Sequence, residues 1–215
     1  KMSLLNASGF WTWGIALFLT LIFLAWYRNW RGPLKPAEIE RYLARLQEDG
    51  GGERNDISAV RKFLEEDDGR EFVMLNLVKT VREAPDPRTG VSTSGAVLLN
   101  RYTSVFMRAL LARGGHPAIA ARKVGGYVDA WHTHPDPGWN IIGFMRYRSR
   151  RDMMELIIDP RFLPAHDFKF AAMAETFSFP TQPMIRTYLS PMIWVPLILA
   201  LAAALGQIAI LLSAA

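Results

Sequence analysis

The chain has 215 residues, with 25 Lys and Arg against 20 Asp and Glu, a net charge of +5 and a pI near 9.7. It has no cysteine, which excludes disulfides, zinc–thiolate sites, iron–sulfur clusters and thiol catalysis. Half of the residues are hydrophobic, yet mean hydropathy is only +0.08, because two very apolar ends flank a charged middle.

The first apolar run, residues 9–27, reads GFWTWGIALFLTLIFLAWY. Its length suits the roughly 20 residues needed to cross a ~30 Å hydrocarbon core. Trp11 and Trp13 at one end, with Trp26 and Trp30 at the other, resemble the two aromatic belts of a spanning helix, and Arg28 and Arg31 follow as interface cations. The run exceeds a usual signal-peptide core, and Trp26, Tyr27 and Arg28 stand where cleavage needs small residues, so it reads as an anchor. The excess of Lys and Arg after it, with Arg186 ahead of the last run, places the middle in the cytoplasm and both termini outside, in a bacterial inner membrane.

Pro36 opens an amphipathic helix with Ile39, Tyr42, Leu43 and Leu46 on one stripe, and Gly50, Gly51 and Gly52 close it as a hinge. The stripe suits packing on a partner or on the chain's own domain, with the membrane interface as the alternative. A second amphipathic segment over 56–67 is capped by Asp56 or Ser58. Residues 72–78 (FVMLNLV) predict a buried strand, 84–94 a loop, and Leu98 to Leu110 a helix stopped by Gly114 and Gly115. Strands are expected over 121–131 and 139–147. A helix capped by Ser149 follows, then a second helical piece over 165–175 and an edge strand over 176–185. The order strand, helix, strand, strand, helix, strand is the βαββαβ ferredoxin-like order, with both helices on one face and the other face left for a partner. The fold class is thus α+β, a ferredoxin-like domain inserted between two transmembrane helices. The divisions fall at 1–30, 31–55, 56–187 and 188–215.

The last run, residues 191–212, carries no charge and one strongly polar residue, Gln207. Ala202 and Gly206 form a small-xxx-small pair, so Ala202, Gly206 and Gln207 are the candidate helix-packing residues toward other membrane subunits.

The runs FVMLNLVK, RYTSVF and IIGFMRYRSRRDMMELIIDPRF resemble the dimeric α+β barrel superfamily. Within it they are most similar to an uncharacterised group of short bacterial domains marked by Arg-Tyr-x-Ser-Arg, a helix and Asp-Pro, over roughly residues 56–185. The resemblance implies sheets paired face to face, hence a homodimer or pseudo-dimer. Relatives include cofactor-independent monooxygenases and haem-binding enzymes.

Among chemical groups, His132 and His134 lie near Asp129 and Asp136 and are the candidate metal ligands. His166 beside Asp167 reads as a surface helix residue, with an acid/base pair or a haem ligand as the alternative. Arg146, Arg148, Arg150 and Arg151 read as an exposed basic cluster that protects a sheet edge or holds an anion. A basic face with interleaved aromatics is missing, so no nucleic-acid partner is expected. Two functions follow. The first is a non-catalytic accessory or assembly subunit of a respiratory or photosynthetic type of membrane complex. It has no cofactor of its own, and pigment, quinone or haem is met through partner subunits. The alternative is a membrane-tethered monooxygenase-like enzyme for a small apolar or aromatic substrate, held between sheet and helices near Tyr102, Tyr127, Trp131, His132 and Trp139.

Overall fold

The computed structural model describes residues 2–48, 50, 55–185 and 190–214, with side chains from residue 10 onward. Gly51 and Gly52 of the expected hinge and Arg186 of the expected topology lie outside the described residues. The chain divides into two compact units, one of residues 1–30 with 184–215 and one of residues 31–183.

The first unit holds α1 (Met2–Tyr27) and α7 (Pro191–Ala214), which pack against each other. Both are long and apolar enough to cross a membrane: the spans are Phe10–Tyr27 and Pro191–Ser213. Ala203 is buried, and a Cβ added to Gly206 would sit 3.7 Å from Thr12 Cγ2, so the small residues of α7 let α1 approach. Ala202 points outward, one position off this stripe. The side-chain oxygen Oε1 of Gln207 is buried without a hydrogen-bond partner among the described residues.

The second unit is α+β. Its four-stranded antiparallel sheet has the order β4 (His116–Arg122), β5 (Ile141–Tyr147), β1 (Phe72–Thr80), β6 (Met173–Thr181). The helices α2 (Pro36–Glu48), α3 (Ile57–Glu65), α4 (Gly95–Ala112), α5 (Arg150–Ile157) and α6 (His166–Ala172) complete it. Local chemistry sets their ends. The Asp56 carboxylate accepts from the backbone N–H groups of Ser58 and Ala59, and the Ser149 hydroxyl accepts from that of Asp152. Pro36 takes the first position of α2, where Glu38 reaches back to accept from the Lys35 N–H at 3.0 Å. At the end of α4, Gly114 (φ +72°) lets the Gly115 N–H reach Leu110 O at 2.9 Å and the Gly114 N–H reach Leu111 O at 3.0 Å.

The stripe of α2 packs on its own domain. Ile39, Tyr42, Leu43 and Leu46 enter the main core with Leu64, Phe72, Phe106, Leu110, Tyr147 and Met154. A second cluster joins Val78, Leu98, Leu99, Phe168 and Ala172.

Several expected boundaries move. Residues 84–94 contain a two-stranded ribbon, β2 (Glu83–Pro85) with β3 (Ser92–Ser94). The strand expected over 121–131 begins and ends earlier, at His116–Arg122, and residues 123–140 form no regular element. The last strand also starts earlier, at Met173.

Candidate functional site

Alternate residues of a strand point to opposite faces. Phe72, Met74 and Val78 of β1, with Tyr147, Met145 and Ile141 opposite them on β5, pack under the helices. The intervening residues, Leu75 and Leu77 of β1 and Phe144 and Ile142 of β5, turn to the other face. The register continues this apolar surface across the sheet: Phe179 stands opposite Leu75, Phe177 opposite Leu77, and Ile119 of β4 opposite Phe144. Phe177 and Phe179 are each 44% exposed and stack at 5.9 Å between ring centroids. Leu75, Leu77, Ile142 and Phe144 are half-buried in the middle of this face, whereas Val73 and Arg146 at one end of it are buried and the opposite end is partly covered.

At that opposite end the 123–140 connection folds back. Trp139 sets its ring edge-on to Phe177 at 5.2 Å. Leu77 and Ile142 form the floor of an open cavity of about 400 Å³, walled by Tyr127, Val128 and Trp139. Lys123 pairs with Asp136 and places its ammonium 5.0 Å from the Tyr127 ring centre, which pins the loop. The Lys123 partner and the Gly138 N–H together hold the Asp136 carboxyl below its usual range. Beyond this pinned part the loop is bare: Val124 is 94% exposed, Val128 100% and Trp131 82%.

The expected site residues separate. Tyr127 and Trp139 meet on the open face. Tyr102 lies on the helix side, stacked with Phe106 and near Phe162 and His166. Burial raises the pKa values of the Tyr102 and Tyr147 hydroxyls and lowers that of Lys169, whose amine sits 5.9 Å from the Tyr102 ring. His166 is half-buried, its ring edge-on to Phe162 at 4.7 Å. His132 (φ +48°) and His134 are exposed on the loop, and among the described residues no three His, Asp or Glu side chains come together to hold a metal.

The arginine cluster departs most from its sequence reading. β5 is an interior strand, and Arg146 and Arg151 are buried. Arg146 bonds Glu71 at 2.9 Å and Gly114 O, and Arg148 bonds Asp152 at 2.9 Å. Arg150 lies 3.5 Å from Asp67, and Arg151 takes Glu38 at 3.0 Å. They tie elements together and do not form an exposed anion site. Of the interface residues, Trp11, Trp13, Trp30 and Arg28 are exposed and Trp26 is half-buried. Arg31 is exposed and also bonds Glu155 at 3.0 Å.

The open-face residues Leu75, Leu77, Ile142, Phe144, Phe177 and Phe179 escaped the sequence reading. Their signal was there: doubly apolar strands imply something to bury on both faces.

The fold and site define an α+β domain with one face of its antiparallel sheet covered by helices and the other left apolar and open. No protein-family model matches the chain, and no curated protein matches it. Solved structures do. The chain is similar to the RPA0582 protein of unknown function from Rhodopseudomonas palustris, at 20% identity and a TM-score of 0.52. That match covers 61% of this chain and 96% of that one. The methylated form of RPA0582 gives 21% identity, a TM-score of 0.53, and coverage of 62% and 96%. These likenesses establish a fold shared with a small bacterial domain.

Proposed function

We propose that the chain is a membrane-anchored accessory subunit whose soluble unit docks through its open sheet face, with a second copy as the first occupant. The observation that carries this reading is the apolar sheet face on which Phe177, Phe179 and Ile119 are exposed and Leu75, Leu77, Ile142 and Phe144 are half-buried, a surface of the kind that marks an interaction site. The strand order and the helices on one face support a ferredoxin-like domain of the kind that pairs its sheets. The residues entering the domain after Trp30 and those leaving it after Thr181 both lie at the Phe72–Tyr147 end of the sheet, beside Gly69 and Val73. The 123–140 loop lies at the opposite end, roughly 20 Å away over a seven-residue strand. Both tethers thus leave from the end of the sheet opposite that loop. α1 and α7 supply the anchor and the contact with other membrane subunits.

The test is gentle detergent extraction of the full chain, followed by native mass and an absorbance spectrum. A dimer within a larger particle is expected, and Phe177→Asp with Phe179→Asp should separate the copies. A bare monomer from the unaltered chain overturns the reading. The cavity beside Tyr127 and Trp139 favours a second reading, an enzyme for a small apolar or aromatic substrate. Quenching of Trp139 fluorescence by such compounds, together with turnover lost on replacing His132 and His134 by Ala, would support it.

A further inference from the structure

A tether between a membrane helix and a domain is ordinarily a solvated, flexible segment. Residues 31–35 are not of that kind. Arg151, 2% exposed at the start of α5, divides its guanidinium between this stretch and the Glu38 carboxylate in the first turn of α2. Nε and Nη2 each donate to the Glu38 carboxylate at 3.0 Å, Nη1 to Gly32 O at 3.1 Å and Nη2 to Pro33 O at 3.0 Å. The Leu34 N–H donates to Asp67 at 2.8 Å, and Arg31 bonds Glu155 at 3.0 Å. Gly69 (φ +74°) forms the seat: a Cβ there would meet Gly32 C and Pro33 N at 2.9 Å. Elements α2 and α5 and the turn before β1 thus converge on a few residues.

A buried guanidinium is costly to desolvate, and it is far costlier once its partner is withdrawn. Helix capping does not need it, because Glu38 and Pro36 already start α2 and Ser149 already starts α5. We propose that residues 31–35 form a latch, closed by Arg151 and Asp67, that sets how far the soluble unit reaches from α1. Closed, the segment belongs to the fold. Open, about five residues become free chain and add a reach of roughly 17 Å. Leu34 of the latch packs against the core, but the buried stripe of α2 begins at Ile39, so opening withdraws Leu34 and leaves that stripe in place. A partner that competes for Glu38 or Asp67 opens the latch. The latch stands on the soluble unit alone, whereas its effect on reach rests on α1 being the membrane anchor.

Hydrogen exchange read by mass spectrometry on the full chain in lipid nanodiscs tests this, comparing Arg151→Gln, Gly69→Ala and Leu156→Ala with the unaltered protein. The bonded amides of Leu34, Lys35 and Glu38 should exchange about tenfold faster or more in the first two variants, while β1 and β5 keep their protection. Arg151→Lys, which leaves a point charge unable to bridge Glu38 and two carbonyls, should fall between. Leu156→Ala, a core loss, should speed β5 and α5 and spare the selective effect at 34–38. If Arg151→Gln fails to fold, Gly69→Ala decides. The proposal is overturned if these amides are unprotected in the unaltered chain, if neither variant alters them, or if they speed up only together with β1 and β5. Failure of the membrane reading shows separately, as release of the chain from membranes by alkaline carbonate.

Discussion

Arg146, Arg148, Arg150 and Arg151 show how little a charge run says about exposure. Three of the four find their carboxylate on another segment: Glu71 for Arg146, Asp67 for Arg150 and Glu38 for Arg151. Only Arg148 pairs locally, with Asp152 one turn on. The Glu38–Arg151 pair has a pH signature. The bond from Arg151 is the chief cause that lowers the Glu38 carboxyl from 4.5 to about 2, with the Lys35 N–H adding to it against the cost of burial. A depressed carboxyl stabilises the fold above its unfolded value and loses that stabilisation as pH falls through its folded one. The contribution is therefore complete above about pH 4.5 and fades towards pH 2. Thermal melts from pH 6 down to pH 2 should show this loss in the unaltered chain and a shallower fall over the same window in Arg151→Gln. Parallel curves would remove Glu38 as the titrating group.

At the scale of elements, ends were legible and pairing was not. Asp56, Ser149, Pro36 and Gly114 act through neighbours within a few residues, so each could be read from the chain. The second strand could not. Residues 121–131 contain Val, Tyr and Trp, which favour strands, while the true strand reads HPAIAAR, poor in them. What selects it is a partner: β5 offers a ladder only from Ile141 to Tyr147, and Arg122 meets its first residue. Just beyond, the Lys123 N–H still reaches Asn140 O at 3.0 Å, and the chain then leaves the sheet. The start of α4 carries a similar non-local demand. A Cβ on Gly95 would collide with the Val81 carbonyl oxygen, where the chain leaves β1. Gly95→Ala should cost about 1–3 kcal/mol of stability in urea denaturation, as overpacking does, and an unchanged midpoint would show that the backbone gives way freely.

For the whole molecule, the bare 123–140 loop and the two apolar helices make the proposed arrangement testable by chemistry. The chain lacks cysteine, so Val128→Cys supplies a single thiol on a fully exposed residue. In intact inverted and right-side-out membrane vesicles, a membrane-impermeant maleimide should label it only when the cytoplasmic side is outward. Labelling from the other side would reverse the orientation drawn from Arg28, Arg31 and the flanking basic residues. The sequence by itself determined the two apolar end helices, the charged α+β middle and most helix caps. Those features depend on composition and on contacts within a turn of chain. Only the tertiary structure decided which residues line the face that the helices leave free, that Tyr127 parts from Tyr102, and that the arginines are spent inside. Each of those depends on which distant segments meet, and local chemistry does not encode a choice among partners dozens of residues away.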